Sequence, residues 1–168
     1  KDNLSRLASV VERELQEAVM RADLKAAQES LRNVSHFDSL TGLPNREHLF
    51  EHLGTKMSCS GHEHPFAVFL IDLNRFRQIT KSLGMWAGNK VLIETAERLC
   101  AVFGEKDFVA RLGADKFVAV VPYLNQEARA EDVVHAIHQC MNKVFQVDAH
   151  ELFVKASVGV SFYPKAGQ

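Results

Sequence analysis

The sequence has no long hydrophobic run. Its longest, Phe66 to Ile71, is far shorter than the roughly 20 apolar residues that cross a bilayer, and no signal peptide is expected before it. Cysteine is scarce: Cys59, Cys100 and Cys140 are odd in number and widely spaced, which fits neither a disulfide framework nor a Cys-x-x-Cys metal knuckle. Reduced thiols of a cytoplasmic domain are expected. An excess of charge of one sign is also missing, because 20 Lys+Arg stand against 21 Asp+Glu. Without a basic field, nucleic acid is excluded as a partner and an anionic membrane surface has no hold. An anionic ligand must be held locally.

What remains is ordinary globular usage, 46% hydrophobic and 24% charged over 168 residues, which suits one domain or one domain with an appendage. The chain starts at Lys1 inside a helical pattern without an initiator Met, so a longer parent protein is expected.

Residues 1 to 35 lack both Gly and Pro. Leu4, Ala8, Val11, Leu15, Ala18 and Ala22 recur in steps of four and three, the seam of a coiled-coil-type helix. A second frame through Met20, Leu24, Ala27, Leu31 and Val34 takes over where Lys25 and Glu29 interrupt the first, a phase shift that alters supercoil winding. Two readings stand: a signalling or linker helix over residues 1–36 that pairs two copies, or a helix packed on its own domain. Asp38 to Arg46 is dense in turn formers, and Pro44-Asn45 opens an amphipathic helix through Leu49, Phe50 and Leu53. The main domain is therefore placed over residues 37–168.

Phe66 to Asp72 reads as a central strand buried on both faces and ending on a carboxylate. A helix pair split by Gly84 and Gly88 follows. Phe108–Leu112 and Phe117–Val121 flank Gly113-Ala-Asp-Lys116, a hairpin with Asp115 at its tip. A helix over about 126–144 comes next, and a second hairpin is expected to join Phe145–Val147 to Leu152 through Phe162. The order predicts an α/β fold in which helices cover a mostly antiparallel sheet.

If the strands of Asp72 and Asp115 are neighbours, their carboxylates converge at one edge and suit Mg²⁺, a hard cation that takes carboxylates, water and substrate phosphates. The helix starting over Asn74 to Gln78 offers free N–H groups to phosphate, with Arg75 and Arg77 beside it. The plainer alternative is that Asp72 caps the helix and Asp115 serves the turn.

Five segments in order resemble the signatures of the GGDEF (diguanylate cyclase) family: Asp38-Ser-Leu-Thr-Gly-Leu-Pro-Asn-Arg46, Leu70-Ile-Asp-Leu-Asn-Arg-Phe-Arg77, Gly84 with Gly88, Ala110-Arg-Leu-Gly-Ala-Asp-Lys-Phe117 and Ala156 to Pro164. The resemblance implies a palm-like, nucleotide-cyclase-like fold. It also implies a reaction in which two GTP molecules, held by a head-to-tail dimer, become cyclic di-GMP. Asp72, the carbonyl of Leu73 and Asp115 match the family's Mg²⁺ ligands, and Asn74, Phe76, Arg77, Gly113 and Ala114 match positions around the nucleotide. Several positions depart from the family. Lys116 replaces the Glu that assists the metal and the attacking 3′-hydroxyl, and an ammonium can neither accept that proton nor ligate Mg²⁺. Ala114 replaces a Gly, adding a Cβ where unusual dihedrals are used.

Thr80 and Asn89 replace the guanine-reading Asn and Asp, changes that weaken GTP by roughly a hundredfold. Gly104-Glu-Lys-Asp107 lacks the Arg of the product-inhibition motif. The chain ends at Gln168 before the family's Ala-Lys and Gly-Arg elements, so the domain is expected to lack its C-terminal segment. The resemblance thus implies a degenerate, regulatory GGDEF domain that holds GTP or cyclic di-GMP and is followed by an EAL phosphodiesterase, in a parent anchored to the inner membrane. An active cyclase relying on Asp72 and Asp115 is the alternative. Lys116 can also pair with Asp72 or Asp115 and replace the metal electrostatically.

His48 with His52 and His135 with His138 have metal-sharing spacing, but no third ligand is identifiable, and a solvated helix face explains both pairs. Trp86 and Phe103 read as packing residues.

Overall fold

The computed structural model describes residues 20–21, 36–60, 65–122 and 127–164. The expected coiled-coil-type helix, and with it the pairing of two copies, therefore lies almost wholly outside the described residues. His36 to Gln168 form one compact unit, described here by itself.

Asn45 opens α1 (Arg46–Ser60) by accepting the His48 N–H at 3.1 Å on its side-chain oxygen. The apolar face of α1 is narrower than its spacing predicts: Leu49 is buried, but Phe50 is 55% exposed and lies under the Arg46 guanidinium. β1 (Phe66–Leu73) leads into α2 (Phe76–Val102). α2 is broken at Gly84, whose φ of 85° lies outside the helical region and requires glycine. Gly88 does not break it; that glycine is helical and buried.

β2 (Phe108–Gly113) and β3 (Lys116–Pro122) form the expected hairpin around Ala114 and Asp115. α3 (Glu127–Met141), β4 (Phe145–Val147), β5 (His150–Leu152) and β6 (Ala156–Tyr163) follow.

The main sheet is antiparallel throughout, in the order β2-β3-β1-β6. This is the palm-like arrangement that the resemblance implies. Here one expectation is corrected: Phe145–Val147 pairs with His150–Leu152 in a separate two-stranded sheet, and β6 instead pairs with β1 along its full length. Strand pairing over such distances is decided by packing, which a local pattern cannot show.

Ala67, Phe69, Ile71 and Leu73 alternate onto the face covered by α2 and α3, while Leu49 of α1 packs with Phe66, Ala110, Val118 and Val120 in the second cluster. Leu70 is 43% exposed, so β1 is central without being buried on both faces at its Asp72 end. That gap in the cover leaves the end of β1 accessible. Trp86 is likewise half-exposed, with the Lys90 ammonium over its ring, whereas Phe103 is buried as expected. Arg98 closes the end of α3 by donating to the carbonyl oxygens of Cys140, Lys143 and Val144 while lying over Phe145.

His48 and His52 do not occupy a solvated face. His52 stacks on Phe108 at 4.0 Å between centroids, His48 meets His36, Phe37 and Phe108 edge-on, and buried nitrogens of both rings have no hydrogen-bond partner among the described residues. Burial first, then Lys56 and His48, holds the His52 pKa below its ordinary value. The unfolded chain therefore binds more protons than the folded one as pH falls through about 6.5. Stability is fully present above that pH and declines below it. Urea unfolding at pH 7.5 and 5.5 should show this loss, and His52→Phe, which keeps the stack, should reduce it.

Candidate functional site

The carboxylate edge is built by sheet register. Asp72 at the end of β1 lies directly opposite Lys116, the first residue of β3, and the Leu73 N–H donates to the Asp115 carbonyl at 3.1 Å. Cross-strand partners of this kind hold their Cβ atoms about 5 Å apart, so the pairing of the two side chains is imposed by the backbone. The Lys116 ammonium forms a hydrogen-bonded ion pair with Oδ2 of Asp72. Both side chains remain partly open to solvent, Asp72 at 39% and Lys116 at 46%. The hydrogen bond to Asp72 first, and the charges of Asp72 and Asp115, raise the Lys116 pKa against the opposing effect of desolvation. Lys116 is therefore cationic at any physiological pH and sits within the field of both carboxylates.

The hairpin tip takes unusual dihedrals, with φ of 124° at Gly113 and 47° at Ala114. Ala114 thus adopts the left-handed conformation that a glycine takes without cost. One residue to which the sequence assigns no role holds this tip. Arg111, only 9% exposed, donates to the Ala114 carbonyl at 2.7 Å and to Oδ1 of Asp38 at 2.8 Å. Its backbone N–H donates to the Pro44 carbonyl at 2.8 Å. The turn at Asp38 to Arg46 is thereby tied to the tip of the signature loop. Burial raises the Asp38 pKa, but hydrogen bonds from Thr41 and Arg111 outweigh it and leave the carboxyl below its ordinary value. An arginine between the apolar residues of a strand was the available signal for this link.

At the start of α2, Asn74 is already engaged: its N–H donates to the Lys155 carbonyl and its side-chain oxygen accepts from Ser157. The Gln78 N–H is bonded to the Arg75 carbonyl. The free N–H groups expected over Asn74 to Gln78 are therefore confined to Arg75, Phe76 and Arg77, with Arg75 itself left-handed at the cap. A cleft of about 520 Å³ lined by Arg75, Gln78, Phe153 and Lys155 opens beside them. Phe76 and Thr80 pack inward on Gly88, where an added Cβ would meet the Thr80 methyl at 2.5 Å and the Phe76 ring at 3.1 Å. The Thr80 hydroxyl is turned back onto the Arg77 carbonyl at 3.1 Å. Asn89 is half-buried one turn beyond the kink.

At Gly104 to Asp107, the Asp107 carboxylate accepts the Gly104 N–H in a local turn.

This donor set fits a divalent cation poorly. The Asp72 carboxylate already holds an ammonium, and among the described residues no three His, Cys, Asp or Glu side chains converge on a common point. Among the described residues the histidine pairs gain no third ligand. No helix among the described residues is long and apolar enough to cross a membrane.

Comparison with known proteins matches residues 35–168 to the family model "Diguanylate cyclase, GGDEF domain", a family whose cyclases generally use Mg²⁺. The chain is 37% identical over 144 residues to the signaling protein YkoW of Bacillus subtilis, covering 84% of this chain and 18% of that protein. It is 31% identical over 156 residues to the bifunctional diguanylate cyclase/cyclic di-GMP phosphodiesterase MucR of Pseudomonas aeruginosa, covering 92% of this chain and 23% of that protein. It thus spans about a fifth of the length of either relative. Among solved structures, the GGDEF domain of TpbB (YfiN) from Pseudomonas aeruginosa superimposes with a TM-score of 0.72 at 33% identity, covering 77% of this chain and 76% of that one. With its signature hairpin, palm-like sheet and these matches, the chain belongs to the GGDEF family of cyclic di-GMP signalling proteins.

Proposed function

We propose that this is a degenerate GGDEF domain, inactive as a cyclase, which binds GTP to control a fused EAL phosphodiesterase. The observation that carries this reading is the Lys116–Asp72 ion pair. At the position where the family places a proton-accepting carboxylate, this chain has a permanent cation, and that cation occupies the carboxylate matched to the metal. Asp72, the Leu73 carbonyl and Asp115 are the groups that would hold Mg²⁺, and with Lys116 among them they lack the proton acceptor that activates a 3′-hydroxyl.

The nucleotide positions support a weakened site. Thr80 directs its hydroxyl into its own helix, and Asn89 carries one acceptor where an Asp would carry two. Arg75, Phe76 and Arg77 keep backbone donors at the start of α2, which suits retention of phosphate. The fused phosphodiesterase is supported by likeness to a bifunctional relative much longer than this chain. Pairing through the helix of residues 1–36, a domain over residues 37–168 and a membrane-anchored parent belong to the same proposal.

The test is incubation of the chain with GTP and Mg²⁺ across a range of protein concentrations, with chromatography of the nucleotides. No cyclic di-GMP is expected at any concentration; steady formation of product overturns the proposal. In the longer parent, GTP should raise the rate of cyclic di-GMP hydrolysis, and a rate unmoved by GTP removes the regulatory role.

A further inference from the structure

We propose that the Lys116 ammonium is the resident cation of the Asp72/Asp115 edge, standing where a divalent ion would otherwise sit and excluding it from the two carboxylates. The proposal rests on reading this edge as a signature loop that has exchanged its fourth-position carboxylate for a cation.

Three observations carry it. Register first places Lys116 directly across from Asp72 on adjoining strands, so the ammonium reaches the carboxylate from a fixed backbone position and not from a mobile loop. Second, the ion pair is formed, with Asp115 also acting on the same ammonium. Third, the backbone around it is already committed: the Asp115 carbonyl accepts from Leu73, and the Ala114 carbonyl accepts from Arg111. Two carboxylates alone would present two negative charges to an incoming ion; with Lys116 paired to Asp72 the edge presents one. Mg²⁺ also demands near-octahedral geometry and gives up its water reluctantly. A shared carboxylate and a neighbouring positive charge work against both requirements. An ammonium satisfies the same carboxylate with hydrogen bonds and has no coordination geometry to complete.

The experiment is a titration of the nucleotide-free chain with Mn²⁺, a hard divalent ion whose free fraction is read by electron paramagnetic resonance. Wild type is compared with Lys116→Met, which keeps the aliphatic stem and removes the charge, and with the double variant Asp72→Asn/Lys116→Met. Wild type should show no saturable site in the range where Lys116→Met does. The single variant should bind Mn²⁺ at least tenfold more tightly than wild type, and the double variant should lose that gain. Lys116→Gln repeats the comparison if Lys116→Met fails to fold, as judged by circular dichroism. Equal binding by wild type and the variant overturns the proposal, whether both bind or neither does. A gain that survives Asp72→Asn overturns it as well, because the ion is then held elsewhere. No nucleotide is present, so this outcome is independent of whether the domain makes cyclic di-GMP.

Discussion

Phe117→Ala is expected to destabilise the domain by about 4 kcal/mol, the middle of the range for removing a buried aromatic ring. Phe117 is fully buried, belongs to the core shared with Phe69 and Ile71, and pairs in register with Ile71 on β1 and Arg111 on β2. It is the last residue of the signature loop, and its role is anchoring. The residue immediately before it points its charge at Asp72, while Phe117 fixes the strand from which that charge is presented. Urea unfolding should show a lower midpoint with little change in slope. A loss under 1 kcal/mol would mean that the ring is not held in the core as the structure has it.

Arg111→Met should cost about 3 kcal/mol, because it strips the guanidinium donors from the Ala114 carbonyl and from the Asp38 carboxylate, which keeps only its Thr41 partners. One guanidinium nitrogen, Nε, is buried without a partner among the described residues, so the arginine itself is an imperfect fit and the loss stays near the lower end for a broken buried pair. The double variant Asp38→Asn/Arg111→Met should recover part of the loss, since the two residues act on one link. The loss should also depend on pH. The Asp38 carboxyl is held below its ordinary value of 3.8, so its contribution is present above that pH and disappears as pH falls below it. Additive single and double variants would show that the turn and the loop tip are not coupled through this pair.

How much could be read without coordinates differs by feature, for physical reasons. The β2–β3 hairpin was legible because a short Gly-containing turn between two β-rich runs is a local signal. The convergence of Asp72 with the hairpin tip depends on β1 lying beside β3, which the sequence pattern leaves as a condition and the observed register supplies. The partner of Phe145–Val147 was misread, because the nearest strand in sequence, His150–Leu152, is only three residues long and lacks an apolar pattern. The histidines of α1 were read as solvated because spacing cannot show that Phe108 of β2 lies against them.

The departures at Lys116, Thr80 and Asn89 were visible as letters. That Lys116 engages Asp72, and that Thr80 packs on Gly88 with its hydroxyl turned away, required the geometry. The link from Arg111 to Asp38 spans 73 positions; an arginine within an apolar strand marks one end of it, but local pattern does not name its partner.

These findings meet in one claim, that the edge formed by Asp72 and Asp115 carries its own cation. The most direct measurement is the carbon-13 shift of the Asp72 side-chain carboxyl in the wild-type chain as Mg²⁺ is added. The resonance should stay in place through millimolar Mg²⁺, as expected of a carboxylate already held by Lys116. A saturable movement of that resonance at the same concentrations would show the metal entering the site in spite of the lysine, and would contradict the claim.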